Sequence, residues 1–166
     1  MIKIRWSTAE DAGALARLHA ASWRNAYAGI LARPVIDRMI SYRGASFWRR
    51  AGGGGRALVL GLDGTLLGYA TMGFDRRAIR AGDRTTGEIF ELYLAPEAQG
   101  LGLGRRLFQA ARGELEAYGF SRLRVWALAE NEVGCRFYRA LGGQERERAV
   151  ERIGGRDVEK IAFRWD

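Results

Sequence analysis

The chain of 166 residues contains one cysteine, one histidine, two prolines and only two lysines. Each scarcity excludes something. Cys135 alone cannot close an internal disulfide, which fits a reducing compartment and makes a cytoplasmic location the expectation. No histidine lies near Cys135 in sequence, so it reads as a small packing residue, and no Cys–His or Ser–His pair is available for a covalent acyl-enzyme. No metal site is expected. No apolar run approaches the length of a membrane span, and the N-terminus Met1-Ile-Lys-Ile-Arg-Trp6 lacks the apolar core of a signal peptide, so no membrane partner is expected. With lysine confined to Lys3 and Lys160, almost all of the net charge of +8 comes from arginine, which makes planar, bidentate contacts to phosphate. The arginines are scattered among acids, as in Glu145-Arg-Glu-Arg148, which reads as a solvated face rather than a nucleic-acid groove. At 48% hydrophobic and 28% charged residues, the composition is that of an ordinary globular protein, and the length suits a single domain spanning residues 1–166.

Glycine, by contrast, is abundant, and it concentrates where chemistry would want it. Glu88-Ile-Phe-Glu-Leu-Tyr-Leu-Ala-Pro-Glu-Ala-Gln-Gly-Leu-Gly-Leu-Gly-Arg-Arg-Leu-Phe108 reads as a strand, a proline-marked break, a glycine loop and a helix start. Such a loop offers backbone N–H groups to an anion, and the helix behind it adds the positive end of its dipole. Gly104 is followed by Arg105 and Arg106 rather than Lys and Ser/Thr, which excludes a P-loop. Gly100-Leu-Gly102-Leu-Gly104 is G-x-G-x-G, and it arrives after some ninety residues, which argues against a dinucleotide fingerprint.

The coarse element order surrounds this loop. Ile2–Trp6 alternates as a strand, and Ser7-Thr-Ala-Glu10 reads as a capping box opening a helix that ends near Gly29. Pro34 opens a second helix expected to continue toward Trp48, and Gly52–Gly55 reads as a mobile loop. Arg56–Leu62 and Thr65–Phe74 form a hairpin closed by a type I′ turn at Asp63-Gly64. Asp75–Thr86 is polar and reads as a loop. Strand Gly87–Ala95, helix Leu103–Tyr118, strand Arg122–Ala127, helix Glu132–Leu141 and a last hairpin, Gln144–Ile153 with Arg156–Trp165, complete the chain.

The Gln99-x-x-Gly102-x-Gly104 spacing resembles motif A of the GNAT superfamily of N-acetyltransferases, whose loop holds the pyrophosphate of acetyl-CoA. Upstream, Leu92-Tyr-Leu-Ala-Pro96 resembles the end of that family's fourth strand. Downstream, Asn131-Glu-Val-Gly-Cys-Arg-Phe-Tyr-Arg-Ala-Leu-Gly-Gly143 resembles its motif B, except that Gly143 stands where an aromatic is usual. Leu18–Ile30 resembles the first helix of one branch, with Trp23 and Tyr27 four apart. The resemblance implies an α/β (α+β) fold. Its sheet would be mixed and mostly antiparallel, of about seven strands, splayed at the fourth and fifth and flanked by about four helices. It also implies acetyl-CoA as co-substrate and direct attack by a primary amine in a ternary complex. Gln99, Gly100, Leu101, Gly102, Leu103, Gly104 and Arg105 would hold the pyrophosphate, with Arg106 as a further source of charge. Leu92, Tyr93 and Leu94 would pair with the pantetheine arm, and Asn131 would contact its side or simply cap the following helix. Tyr138 aligns with the family's general acid and would protonate the departing thiolate, its other reading being a core aromatic beside Phe137.

For the base, Glu88 and Glu91 compete, and strand alternation points them to opposite faces. Glu88 aligns with the strand glutamate that serves as base in some members, often through water, while Glu91 lies nearer the acceptor. Either acid could instead pair with an arginine. Trp23, Tyr27 and Phe74 are candidate walls of an acceptor pocket, with His19 one turn before Trp23, and the same residues could be plain core. The acceptor, a small amine or a peptide amine, stays open, although the two acids suit a cationic one. A homodimer is common in the superfamily, but nothing in this chain specifies an interface. A GNAT-fold module that binds acyl-CoA without catalysis is the alternative function, and a basic nucleic-acid-binding protein is a further rival.

Overall fold

The alternating N-terminal pentapeptide forms strand β1 (Ile2–Trp6), and it pairs antiparallel with β2 (Ala57–Leu62) in the register Ile2↔Leu62 to Trp6↔Leu58. These elements belong to a computed structural model that describes residues 1–52 and 57–166. The glycine run from Gly53 to Gly55, and Arg56 with it, lies outside the described residues. After Leu62 the chain reverses at Asp63 (φ 49°) and Gly64 (φ 87°), the two positive φ values of a type I′ turn, and returns as β3 (Thr65–Phe74). β4 (Thr86–Leu94) and β5 (Arg122–Leu128) pair in parallel, in register from Thr86↔Arg122 to Ile89↔Val125. Both strands continue past their last paired residues. β6 (Gln144–Ile153) and β7 (Arg156–Trp165) close the sheet, whose order is β1-β2-β3-β4-β5-β7-β6. The described residues divide into two compact units, Met1–Thr71 with Glu91–Ala111 and Met72–Phe90 with Arg112–Asp166.

The helices are α1 (Ala12–Tyr27), α2 (Arg33–Ser41), α3 (Ala45–Gly52), α4 (Arg76–Arg80), α5 (Leu103–Ala117) and α6 (Glu132–Ala140). Three local outcomes differ from the sequence reading, each for a visible reason. The N-terminal capping box is shifted by one residue: the Thr8 N–H donates to Asp11 Oδ2 at 2.8 Å, while the Ser7 hydroxyl is taken by the Ala57 N–H at 3.3 Å. The expected second helix is two, because the Arg43 N–H turns back to the Ile40 carbonyl at 3.0 Å and the Ser41 hydroxyl bonds the Arg38 carbonyl at 2.6 Å. The expected loop at 75–86 contains α4. Its N-cap is Asp75, which accepts from the Ala78 N–H at 3.0 Å. It ends in a Schellman motif at Gly82, with Asp83 N–H to Ala78 O at 2.8 Å and Gly82 N–H to Ile79 O at 2.9 Å.

The second unit also explains Gly143. The Trp165 ring lies against this glycine so closely that an added Cβ would meet Cζ2 at 2.6 Å, and the Trp165 indole donates to the Leu141 carbonyl at 3.0 Å. An aromatic from the C-terminal strand therefore occupies the space above the turn. Trp165→Ala should cost about 3–5 kcal/mol in urea unfolding, the usual range for deleting a buried aromatic. Gly143→Ala should destabilise as well, because its Cβ would meet the Trp165 ring at 2.6 Å and the Tyr138 carbonyl oxygen at 2.9 Å; a variant as stable as wild type would show that the turn is not this tight.

Candidate active site

In the first unit, the polar residues of four elements converge on one carboxylate. Glu91, on β4, is 11% exposed at its side chain. Its Oε1 accepts from Arg43 Nη1 at 2.7 Å and from the Thr71 hydroxyl at 3.2 Å, and its Oε2 accepts from the Tyr69 hydroxyl at 3.2 Å. Tyr69 is fully buried, and its hydroxyl lies 2.7 Å from His19 Nδ1. Because the Tyr69 proton goes to the carboxylate, the His19 Nδ1–H must be the donor in that contact. Burial, and then the nearby Arg43 charge, lower the His19 pKa to about 4, so the ring is neutral near pH 7. The Tyr69 and Tyr93 phenols are pushed well up, first by burial, so both stay protonated. Trp23 stacks on Tyr27 at 4.6 Å between centroids, and the Tyr27 and Tyr93 hydroxyls are 2.7 Å apart. The predicted residues Trp23, Tyr27, Glu91 and Tyr93 are thus brought together with His19. Arg43, Tyr69 and Thr71 join them, and sequence reasoning had not singled these out.

The same unit contains the glycine loop. The chain leaves β4 through a short 3₁₀ turn, Pro96–Ala98, runs extended at Gln99, and passes Gly100 (φ 78°) and Gly102 (φ 76°) before entering α5. These left-handed values require glycine, and an added Cβ at either position would meet nothing within 4 Å, so the backbone there faces open space. Among the described residues, the N–H groups of Gly102, Leu103, Gly104 and Arg105 have no protein acceptor. These are orphan donors of a helix start, aimed where the dipole is positive. Arg105 and Arg106 are exposed and form no ion pair among the described residues. The loop therefore fits a pyrophosphate.

In the second unit, Glu88 has no ion-pair or hydrogen-bonding partner among the described residues. Burial, and then the Asp75 charge, push its pKa up to about 7, against the pull of Arg124, Lys160 and Arg77. Asp75 itself lies 2.8 Å from Arg124 Nη1, and Arg124 Nη2 reaches Glu147 at 3.0 Å. Asn131 caps α6, its Oδ1 accepting from the Gly134 N–H at 3.1 Å. Tyr138, on the same helix, is 7% exposed and packs on Phe163 and Trp165. Cys135 is buried beside it, its thiol pushed up by burial, as suits a packing residue. Phe74, an expected pocket wall, is 56% exposed and makes an edge contact with Phe120.

Comparison with known proteins gives this arrangement a family context. Residues 15–142 match the sequence model described as the Acetyltransferase (GNAT) family. An uncharacterised N-acetyltransferase of Bacillus subtilis, YuaI, is 26% identical over 165 residues, covering 99% of this chain and 93% of that protein. Among solved structures, the PaiA N-acetyltransferase of Thermoplasma acidophilum, in complex with coenzyme A, superposes with a TM-score of 0.77 at 24% identity, covering 97% of this chain and 98% of that one. The putative acetyltransferase yncA of Salmonella typhimurium, with its cofactor acetyl-CoA, gives 0.69 at 22%, covering 99% and 93%. These structural likenesses establish the fold.

The raised Glu88 carries a consequence for stability. A carboxyl whose folded pKa lies above its unfolded value favours the folded state below about pH 4.5, and that contribution is lost as pH rises toward about 7. Glu88→Gln should therefore raise the melting temperature relative to wild type more at pH 8 than at pH 4. Parallel melting profiles across that range would contradict the shift.

Proposed function

Because this chain belongs to the GNAT acetyltransferase family, we propose that it is an acetyl-CoA-dependent N-acetyltransferase acting on a primary amine by direct attack in a ternary complex. The observation that carries the reading is the set of unpaired N–H groups from Gly102 to Arg105 behind two left-handed glycines, a cradle with the right chemistry for a pyrophosphate. Acetyl-CoA supplies the activated acyl carbon and the thiolate leaving group.

The chain's own residues supply the rest. Gln99, Gly100, Leu101, Gly102, Leu103, Gly104 and Arg105 hold the phosphates, and the β4 segment Leu92, Tyr93 and Leu94 offers backbone groups to the pantetheine arm. Asn131 caps α6 and thereby fixes the helix that carries Tyr138. Glu88 removes the proton from the attacking ammonium, directly or through a water; with a pKa of about 7 it is half ionised at neutral pH and still basic enough to accept. Tyr138 donates its phenolic proton to the departing sulfur. A C–N bond forms and a C–S bond breaks; of the two protons the ammonium loses, the first goes to Glu88 and on to solvent, the second leaves the tetrahedral nitrogen and restores the Tyr138 phenol through solvent, and the thiol leaves neutral. Glu91 is not the base in this reading. Three donors already engage its oxygens, and the Arg43 guanidinium matches its charge at 2.7 Å, which suits a structural carboxylate better than a proton acceptor. Trp23, Tyr27 and Phe74 remain candidate acceptor walls, and direct transfer needs no nucleophilic side chain. The second reading, an acyl-CoA-binding module without turnover, is served by the same cradle but gives Glu88 no task.

Steady-state kinetics test the proposal. Tyr138→Phe should lower kcat by about 100-fold or more, the usual worth of a positioned general acid, with the KM for acetyl-CoA little changed. The wild-type kcat/KM for the amine should rise with an apparent pKa of about 7, and Glu88→Gln should abolish that limb. Amine-independent thioester loss, or full activity in both variants, would remove the assigned roles. Gly102→Val, which forces a β-branched residue to φ 76°, should weaken acetyl-CoA binding by at least about tenfold in calorimetry.

A further inference from the structure

The hydrogen-bonding account around Glu91 is lopsided. Both carboxylate oxygens accept hydrogen bonds, and the Glu91 charge is matched by Arg43 at 2.7 Å. Arg43 is not filled. Its side chain is 31% exposed, and only Nη1 has an acceptor among the described residues, which leaves Nε and Nη2 unused. A guanidinium presents five N–H donors in a fixed fork matched to carboxylate geometry. This one packs over two neighbouring aromatic rings. Its Cζ lies 4.5 Å from the Phe47 centroid and 5.6 Å from that of Trp48. Among the described residues, the buried indole N–H groups of Trp23 and Trp48 also have no acceptor, and His19 Nε2 has no donor.

We infer that Arg43, anchored by Glu91 and stacked on Phe47, binds a carboxylate of the acceptor, so that the substrate class is an amine that also carries a carboxylate, as an α-amino acid does. Two acids on β4 would by themselves suit a cationic acceptor. The geometry reverses that expectation, because the Glu91 charge is already spent and the open bonding capacity belongs to a cation. The position is also suitable: Glu91 immediately precedes Leu92–Leu94, the strand end proposed for the pantetheine arm. Arg43 thus lies beside the side chain of the residue that precedes that strand end. The turn that splits α2 from α3 gains a purpose, since it is the element that carries Arg43.

The inference rests on the N-acetyltransferase reading above, and the test separates the two. CoA release from acetyl-CoA is measured with the twenty standard L-amino acids, each beside its α-carboxamide and its decarboxylated amine. The expected result is a best acceptor that carries the carboxylate, with its carboxamide lower in kcat/KM by about 100-fold, the range for truncating one partner of a charge pair. Arg43→Gln should collapse that ratio to within about tenfold, acting through the KM of the amino acid. Arg43→Lys, which keeps a charge beside Glu91 but loses the fork, should collapse it in part and guards against a folding defect in the first variant. A purely structural arginine would depress every acceptor alike and leave the ratio intact. Carboxamides or simple amines that match the amino acids in wild type, or a ratio untouched in both variants, overturn the inference while leaving an N-acetyltransferase. Absence of CoA release with any amine overturns both.

Discussion

A carboxylate taken out of water must be compensated, and the first unit of this protein is organised around that requirement at Glu91. Arg43 from the turn after α2, Tyr69 and Thr71 from β3, and His19 from α1 through Tyr69 all meet on it. Removing any donor would leave a buried acceptor short, at a cost of about 1–3 kcal/mol for a neutral partner and more for the charged one. The network therefore fixes where α1 and the α2–α3 turn lie on the strands. Burial, and then the Arg43 charge beside it, keep His19 neutral.

The same requirement sorts the two acids of β4. Glu91 is compensated and becomes part of the architecture. Glu88, three residues earlier, receives no such partner; burial and the Asp75 charge instead keep it poised to exchange a proton near neutral pH. Two chemically identical side chains thus meet different surroundings on one strand. At the other end of the strand, the helix start at Gly102–Arg105 leaves its donors unspent, a local deficit that a phosphate would fill.

Much of this was legible in the sequence because it is local. The type I′ turn at Asp63-Gly64, the proline break at Pro96 and the glycine loop before α5 each depend on residues within a few positions of one another, and they folded as read. The seven-stranded, mostly antiparallel order followed from motifs appearing in the family's sequence, and the family match supports it. What escaped was either very short or very distant. α4 carries plain cap signals in Asp75 and Gly82, but five residues of arginine-rich helix offer no apolar periodicity to detect. The Arg43–Glu91 pair spans 48 residues, and any of 25 arginines could have been the partner. The substitution of Trp165 for a turn aromatic at Gly143 likewise joins positions that no local pattern links.

The role proposed for Glu88 in the second unit requires a carboxyl that exchanges its proton near neutral pH. Carbon-13 NMR of protein labelled at the glutamate side-chain carboxyls, with Glu88 assigned by the Glu88→Gln spectrum, measures its titration directly. The account predicts a midpoint of about 7. A midpoint in the ordinary carboxylate range, near 4.5, would contradict it and would return the search for the base to other groups.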